Sequence, residues 1–165
     1  MQQRPSISPK ISLREAKVAD FAILVALSSQ LLKYDKAFDK SIDLNWFGTK
    51  SGSDFLRERL EGKNGIVFLA EDAKNPIGYV VAGLVEAESY RNIKVVAELE
   101  EIFVLEEYRR VGVGKKLVDQ FFSWAKEKKA DKISVVVSAA NLRTIDFYRR
   151  MGFLDYDLVL ERNLG

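Results

Sequence analysis

An apolar run, a basic turn with two glycines, an amphipathic run and a second apolar run follow one another between residues 95 and 139. The first run, VVAELEEIFVL at 95–105, and the last, KISVVVSA at 132–139, are typical of strands. Between them, apolar residues recur every four positions from Val113 to Ala125, the spacing of a helix with one buried face. A strand, a helix and a strand in this order predict two neighbouring parallel strands. Because 132–139 is a continuous apolar run, we expect that strand to be covered on both faces.

The remaining elements surround this unit in an α+β pattern. Asp20 and Gly62 stand where helices are predicted to begin and to end. Asn75 and Pro76 predict a hairpin turn between two strands. Strands are predicted at 11–16, 66–72, 77–88 and 155–164, and helices at 21–34, 53–62 and 140–153. The sequence therefore predicts one domain, 1–165, with a mixed sheet and helices on both faces.

The composition excludes several classes of site. The 165 residues include neither cysteine nor histidine, which excludes disulfides, a cysteine nucleophile, a histidine base and the usual zinc ligands. Acid and base chemistry then rests on Asp, Glu, Tyr, Lys, a terminal amine or water. A net charge of +2 argues against a nucleic-acid partner bound through bulk charge. Residues 1–10 lack the apolar core of a signal peptide and no run is long enough for a membrane span, so we expect a cytoplasmic protein with no membrane partner.

The basic turn, EEYRRVGVGKKL at 106–117, is the clearest candidate for a functional site. The phosphate-loop pattern of nucleotide-binding proteins does not fit it, because Arg109 and Lys116 stand where that pattern needs a glycine and a hydroxyl. The dinucleotide-binding pattern fails as well, because Leu117 replaces its third glycine. Neither familiar phosphate motif therefore explains the turn.

A third interpretation is a pyrophosphate site that needs no magnesium ion. The amides of residues 110–115 open a helix and lack acceptors within it, so they are free to bind phosphate oxygens. Gly112 and Gly114 leave the backbone open to such a ligand. The surrounding cations are Arg109, Arg110, Lys115 and Lys116. The alternative is an ordinary strand-to-helix turn whose cations are solvated.

Two stretches, IFVLEEYRRVGVGKKL and ISVVVSAANLRTIDFYRRMGF, resemble the GNAT superfamily of N-acetyltransferases. The family signature Arg/Gln-x-x-Gly-x-Gly/Ala corresponds here to Arg109, Arg110, Val111, Gly112, Val113 and Gly114. A second family element corresponds to Asn141, Phe147, Tyr148, Gly152 and Phe153. Thr144 departs from the alanine that is common at its position. The resemblance implies a GNAT-type acyl-CoA N-acyltransferase fold, α/β/α, whose mostly antiparallel sheet contains one parallel, splayed pair of strands.

The resemblance also implies acetyl-CoA as co-substrate, bound where the parallel strands splay apart. The backbone of Ile102, Phe103 and Val104 would pair with the pantetheine arm as an added strand does. Asn141 would bond to the arm from the other side, although the N-cap of the following helix is an alternative role. The residues that would hold the pyrophosphate are Arg109, Arg110, Val111, Gly112, Val113, Gly114 and Lys115.

The implied reaction is direct acetyl transfer from the CoA sulfur to a primary amine in a ternary complex, with no metal. The amine must be neutral to attack, so a carboxylate base is expected. Glu98, Glu100 and Glu101 lie on the strand beside the expected cleft. Glu98 best matches the family position of such a base, and Glu100, which shares its face unless a bulge intervenes, is the next candidate. Tyr148 matches a family tyrosine that lies near the sulfur and protonates the thiolate. Exposed strand carboxylates and a core tyrosine are the alternative roles of these residues.

The acceptor amine is not fixed by the sequence. Residues 34–46 combine carboxylates and aromatics that suit a cationic amine, but lysines lie among them, and a solvated loop is the alternative. Glu86, Glu88 and Tyr90 are further candidates for acceptor contacts. Two other function classes stay open: a non-catalytic acyl-CoA-binding module on the same fold, and a nucleotide-binding protein. The resemblance also allows a homodimer that pairs through the last strand.

Overall fold

The computed structural model describes residues 10–165, so the prediction for residues 1–9 lies outside the described part. Its helices and strands are β1 Ile11–Glu15, α1 Phe21–Asp35, α2 Lys50–Leu60, β2 Gly65–Asp72, β3 Asn75–Glu86, β4 Val95–Val104, α3 Val113–Glu127, β5 Lys132–Val135 and α4 Leu142–Arg150. The sheet order is β1-β2-β3-β4-β5, and every neighbouring pair is antiparallel except β4 and β5, which are parallel. The α+β class, the mixed sheet and the parallel pair are thereby confirmed.

Helices cover both faces of the sheet, as the sequence predicts. On one face, Leu117 and Phe121 of α3 are fully buried together with Tyr148 of α4. On the other face, Leu24 of α1 and Leu56 of α2 belong to a second buried cluster. Each large apolar side chain removed from water stabilises the fold by about 1.5–3 kcal/mol. Within residues 10–165, no helix is both long and apolar enough to cross a bilayer.

The connection between α1 and α2 is held in place by a close contact at Gly52. Thr49 caps α2, and its hydroxyl oxygen accepts a hydrogen bond from the Gly52 amide at 3.2 Å. Gly52 packs so tightly that a Cβ at this position would lie 2.3 Å from the Trp46 carbonyl oxygen. The neighbouring Phe47 is buried, so these contacts fix the backbone that carries Trp46.

Two irregularities of β4 shape the centre of the sheet. Glu100 is an extra residue that bulges from the ladder between β3 and β4. On the other side of β4, the ladder with β5 ends where Leu99 faces Val135. Residues 100–104 therefore have no strand partner on the β5 side, and the two parallel strands splay apart as the resemblance implies.

The predicted hairpin between β2 and β3 is confirmed, but its loop is shorter than the predicted connection at 73–76. Asn75 and Pro76 begin β3, and the turn is the two-residue loop formed by Ala73 and Lys74. Both loop residues have positive φ, 47° and 70°, as a type I′ hairpin requires. The predicted hairpin is therefore present, but Asn75 and Pro76 belong to the strand, because the pairing of Asp72 with Asn75 leaves only two residues for the loop.

The strand predicted at 132–139 is shorter and less covered than its apolar sequence indicates. β5 ends at Val135, and the next residue, Val136, is 92% exposed. Because β4 and β5 part at this point, the chain beyond Val135 has no ladder to continue. The expectation of a strand covered on both faces is therefore wrong for residues 136–139.

The predicted final strand is also corrected, because residues 155–164 form no strand. Their alternation gives one apolar face, but a strand also needs a neighbouring edge to accept and donate its backbone hydrogen bonds. Instead, the ring of Tyr156 lies between the cations of Arg91 and Lys132, at 4.7 and 4.5 Å from its centre. Leu158 and Leu160 are largely exposed.

Replacing Gly52 by alanine tests the packing of the connection before α2. The added methyl group would overlap the backbone of Trp46 and Phe47, at 2.3 and 2.8 Å, and backbone cannot move aside cheaply. We expect G52A to lower the free energy of unfolding by about 2 kcal/mol or more, although alanine is the better helix former. Urea and thermal unfolding followed by circular dichroism measure the change. G48A is the matched control, because a Cβ there meets nothing within 4 Å, and equal stability of the two variants would contradict the close contact.

Candidate functional site

The splay of β4 and β5 opens a cleft in which most of the predicted site residues lie. This main cleft has a volume of about 720 Å³ and is bounded by the splayed strands, the start of α3 and one face of α4. The predicted residues that line it are Glu100, Ile102, Phe103, Val104, Arg109, Arg110, Gly112, Gly114, Lys115, Asn141 and Tyr148. The structure thus brings residues of β4, the basic turn and α4 together in one site.

A row of free backbone amides lies along the main cleft at the start of α3. The amides of residues 110–115 donate to no backbone carbonyl of the described chain, whereas Lys116 donates to Gly112 at 3.1 Å. Arg110 and Gly112 have positive φ, 65° and 89°, which folds the turn back on itself. Consecutive free donors at the start of a helix match the oxygens of a diphosphate.

Glycine stands at the two positions of the turn for different structural reasons. At position 112 the backbone itself requires glycine, because a φ of 89° is strained for any residue with a Cβ. Gly114 does not, since a Cβ there would meet only the Phe147 ring, at 3.5 Å, which is an ordinary contact. The missing side chain at Gly114 therefore leaves the free amides accessible from the main cleft.

Arg109 supports the end of β4 instead of reaching freely into the main cleft. Its Nε donates a hydrogen bond to the Val104 carbonyl oxygen at 2.8 Å. Its guanidinium also lies 5.1 Å from the centre of the Tyr34 ring and 5.4 Å from that of Phe103. The Val104 carbonyl thus has a partner within the chain, and the free edge of β4 lies just before it, at residues 100–103.

Cations stand on both sides of the row of amides. Arg110 and Lys115 come from the turn, and Lys115 also pairs with Asp119 at 2.6 Å. Arg143 and Arg150 of α4 line the opposite wall and were missed at the level of sequence, because neither belongs to the family motifs. Positive charge on both walls raises the local concentration of a polyanionic ligand.

For three of the predicted residues, the structure shows which atoms are open to the main cleft and which are not. Val111 is half exposed to solvent and Val113 is fully buried in the core, so only their amides belong to the site. Asn141 has the capping role that was its alternative, since its Oδ1 accepts a hydrogen bond from the Thr144 amide at 3.2 Å. Asn141 also lines the main cleft, where its side-chain NH₂ group is the part left for a ligand.

Glu101, which the sequence places beside the cleft but which was not chosen as the base, is the carboxylate at the centre of the candidate site. Its Oε2 accepts hydrogen bonds from the hydroxyls of Tyr79, at 2.7 Å, and Ser28, at 2.9 Å. Its Oε1 has no hydrogen-bond partner within residues 10–165. Burial raises the pKa of Glu101 from 4.5 to about 7, and the nearby charges of Glu100 and Asp35 add to the rise, while the two hydroxyls oppose it. A carboxyl group with this pKa exchanges a proton readily near neutral pH.

A second, smaller cavity adjoins the main cleft at Glu101. This side cavity has a volume of about 360 Å³ and lies between β4, β5 and the region around α2. The residues that line it are Trp46, Phe55, Glu98, Leu99, Glu100, Glu101, Ser134, Val135 and Val136. The residues that line both cavities and so form their boundary are Leu99, Glu100, Glu101, Val135 and Val136. Of the two carboxylates among them, Glu100 has both oxygens bound by Arg59, whereas Glu101 keeps Oε1 without a partner within residues 10–165.

The two carboxylates predicted as bases, Glu98 and Glu100, have different surroundings. Both oxygens of Glu100 accept hydrogen bonds from Arg59, at 2.6 and 2.7 Å, and both side chains are 16% exposed. These bonds raise the pKa of Arg59, which therefore stays charged. Gly83 makes room for the pair, since a Cβ there would lie 2.8 Å from the Glu100 carboxylate. Glu98 lines the side cavity and not the main cleft.

Tyr148 lies on the wall of the main cleft and is 5% exposed. Burial, with a smaller effect from the charge of Asp35, raises the pKa of Tyr148, so its hydroxyl is protonated at neutral pH. Its ring packs against those of Phe147 and Phe153, both with centres 5.3 Å away. A fixed, protonated hydroxyl can donate a proton to a group bound in the cleft.

Only some of the residues considered as acceptor contacts line one of the two cavities. Tyr34 and Asp35 line the main cleft, and Trp46 lines the side cavity. Asp39 and Asp43 instead accept hydrogen bonds from backbone amides of their own turns. Phe38, Glu86, Glu88 and Tyr90 line neither cavity.

The arrangement can hold an extended ligand by a diphosphate and move protons beside its other end. Glu101 can accept a proton and Tyr148 can donate one, and both line the same cleft. Within residues 10–165, no three acidic side chains lie close enough together to hold a metal ion.

Comparison with known proteins agrees with this geometry. The acetyltransferase (GNAT) family model matches residues 34–153. An uncharacterised N-acetyltransferase of Methanocaldococcus jannaschii is 31% identical over 94 residues, which cover 56% of this chain and only 40% of that protein. A thialysine N-epsilon-acetyltransferase of Sus scrofa is 26% identical over 156 residues, covering 88% of this chain and 85% of that enzyme. The solved structure of an aminoglycoside N-acetyltransferase in complex with CoA has a TM-score of 0.74 at 18% identity, covering 97% of this chain and 99% of the other.

The structural likeness shows the fold, and the family match confirms the expected class of enzyme, an acetyltransferase that uses acetyl-CoA as co-substrate. The match includes the basic turn, the residues of both cavities on β4 and β5, and Tyr148. The chain belongs to the acetyltransferase (GNAT) family.

Proposed function

We propose that this chain is a single-domain N-acetyltransferase that moves the acetyl group of acetyl-CoA directly to a primary amine in a ternary complex. The observation that carries the proposal is the position of Glu101 at the boundary of the main cleft and the side cavity. The main cleft suits the coenzyme, the side cavity suits the acceptor, and Glu101 faces both. The relative named thialysine N-epsilon-acetyltransferase supports an amine as the acceptor.

The residues of the main cleft fit the parts of the coenzyme in order. The free amides of residues 110–115 would hold the diphosphate, with Arg110, Lys115 and the α4 arginines around it. The free edge of β4 at residues 100–103 would pair with the pantetheine arm as an added strand does. The NH₂ group of Asn141 would donate to the arm from the opposite wall. Acetyl-CoA supplies the acetyl group as a thioester at the end of that arm.

Glu101 acts as the general base in this proposal. Its ionised Oε1 takes a proton from the incoming ammonium group, because only the neutral amine can attack the acetyl carbon. The hydroxyls of Tyr79 and Ser28 hold Oε2, so the carboxylate keeps its orientation. Glu100 is less suited to this role, because Arg59 bonds to both of its oxygens.

Tyr148 acts as the proton donor to the leaving group. As the amide bond forms between nitrogen and the acetyl carbon, the carbon–sulfur bond breaks and the sulfur leaves as a thiolate. Tyr148 protonates that thiolate and becomes a phenolate, which takes the second proton that the nitrogen loses and so returns to its hydroxyl form. Glu101 releases the first proton to solvent. The tyrosine hydroxyl is available for this step because it has no hydrogen-bond partner within residues 10–165.

A non-catalytic acyl-CoA-binding module is the second candidate function, since it would use the same main cleft. A thiol-release assay with acetyl-CoA and a panel of primary amines, with mass detection of the acetylated product, separates the two. Thiol release that depends on an amine supports the enzyme. Binding of acetyl-CoA without thiol release for any acceptor supports the module.

The homodimer that the resemblance allows stays a prediction.

The variant G114A tests the proposed diphosphate site. The methyl group meets only Phe147 at an ordinary distance, so the fold should be unchanged or slightly stabilised, but the methyl stands over the free amides. We expect the Kd of acetyl-CoA, measured by calorimetry, to rise about tenfold or more, which corresponds to about 1.4 kcal/mol. Acetyl-pantetheine, which lacks the diphosphate, is the matched ligand and should bind both proteins alike. Equal weakening of both ligands would disprove the assignment of the diphosphate to this turn.

The variant E101Q tests the proposed base. We expect its kcat/KM near pH 7 to fall about 100-fold or more, because the amide cannot accept the proton. In the native enzyme, kcat/KM should rise with pH through about 7 as Glu101 ionises, and this step should vanish in E101Q. The acceptor amine also loses its proton as the pH rises, but if its pKa lies well above 7 this raises kcat/KM with the same slope in both proteins. E86Q, an exposed change of the same charge on β3, is the control and should keep the native profile.

Stability gives a second, independent measure of Glu101. Its folded-state pKa is raised from 4.5 to about 7, so its protonated form is favoured by folding and the stabilisation is lost as the pH rises through about 7. The native protein should therefore lose stability relative to E101Q between about pH 5 and pH 8. Parallel pH profiles of the two unfolding free energies would argue against a raised pKa.

The variant Y148F tests the proposed proton donor. Removal of the hydroxyl should lower kcat about tenfold or more while the Kd of acetyl-CoA stays within about twofold, because the ring still fills its buried place. Y108F is the matched control, since the Tyr108 hydroxyl donates to Asp72 at 3.1 Å and lines neither cavity. If Y148F keeps the native kcat, Tyr148 is not the proton donor.

A further inference from the structure

We propose that the side cavity binds a second cationic group of the acceptor, so that the preferred acceptors are linear dications with a primary amine at one end and an ammonium group at the other. Glu98 is the residue that binds the far ammonium. This inference rests on the proposed function and names the acceptor class of the same site.

The charges of the side cavity leave one carboxylate without a partner. Glu100 is neutralised by Arg59 through two hydrogen bonds. Glu101 is held by two hydroxyls and serves the reacting amine. Glu98 forms neither an ion pair nor a side-chain hydrogen bond within residues 10–165, although it is partly buried in the cavity wall. The charge of Glu98 interacts with that of Arg59, but no cation within residues 10–165 contacts its carboxylate. A partly buried carboxylate without a contacting cation favours one beside it.

The backbone places Glu98 and Glu101 on the same face of β4. Without an irregularity, residues three apart in a strand point to opposite faces. The bulge at Glu100 changes this, because Glu98 faces Gly83 and Glu101 faces Val81 on β3, and those two partners are two residues apart. Both carboxylates therefore point into the same cavity, one at its boundary with the main cleft and one farther from it.

The spacing and the walls fit a flexible hydrocarbon chain between two nitrogens. Because their partners on β3 are two residues apart, Glu98 and Glu101 are separated along the sheet by roughly 7 Å, which a chain of about four to six methylene groups between two nitrogens can span. Leu99 and Val135 offer apolar surface along the way. Trp46 and Phe55 lie opposite, with ring centres 5.7 Å apart, and aromatic faces attract an ammonium group.

The same residues select against other amines. A monoamine of equal length leaves the Glu98 carboxylate without its cation and gains only the apolar contacts. An amine with a carboxylate at its far end is repelled by Glu98. The side cavity therefore discriminates by the charge at the far end of the acceptor.

Three acceptors of similar length test the proposal: cadaverine, pentylamine and aminocaproate, which carry an ammonium, a methyl and a carboxylate group at the far end. With saturating acetyl-CoA, we expect the native kcat/KM to be at least about tenfold higher for cadaverine than for pentylamine, and lowest for aminocaproate. The variant E98Q should bring the ratio of cadaverine to pentylamine close to one. E98K should reverse the order in favour of aminocaproate, and E86Q, the control, should keep the native order.

A native enzyme that does not distinguish cadaverine from pentylamine, or an E98Q variant that keeps the preference, would overturn the proposal. If no amine is acetylated, the proposed function fails, and calorimetry of cadaverine with the CoA-loaded protein still decides the inference. Binding that is lost in E98Q would support the subsite in a non-catalytic protein. Absence of cadaverine binding to the native, CoA-loaded protein would disprove it.

Discussion

The extra residue at Glu100 in β4 is the constraint on which the candidate site depends. In a regular strand, Glu101 would point to the face opposite Glu98, into the apolar core beneath α3. The bulge removes this conflict, since Glu98 and Glu101 face Gly83 and Val81, which lie on one face of β3. It also falls where the ladder between β4 and β5 ends, so one irregularity both opens the cleft and turns the carboxylate toward it.

Three carboxylates within four residues repel one another, and each of them has different surroundings in the fold. Arg59 pairs with Glu100, and the pair leaves no room for a side chain at Gly83. Burial raises the pKa of Glu101, because two hydroxyl donors without a paired cation do not offset the cost of removing its charge from water. Glu98 is left without a partner in the described chain. Arg59 is therefore a positioning residue, because it neutralises the middle carboxylate and leaves the outer two free for ligands.

The fold could be predicted from the sequence wherever periodicity and pairing agree. The parallel pair around α3 follows from the pattern at 95–139, whereas the short β5 and the unpaired 155–164 do not, because periodicity does not say where a ladder ends. In the site, the turn at 109–115 was found from its glycines and cations. Glu101 was named beside the cleft but not chosen as the base, because regular alternation places Glu98 and Glu100 on one face and Glu101 on the other. Adjacent carboxylates in an otherwise apolar strand were the available signal of a bulge.

One strand serves both proposed substrates, and this divides the site into a fixed part and a variable part. In the proposed function, the backbone edge of residues 100–103 would face the coenzyme and the side chains of Glu98 and Glu101 would face the acceptor, so the sheet itself would set the distance between thioester and base. The opposite wall of the side cavity comes from Trp46 and Phe55, outside the sheet. A change of acceptor then needs new residues only in that wall and at Glu98, while the geometry of acetyl transfer is kept.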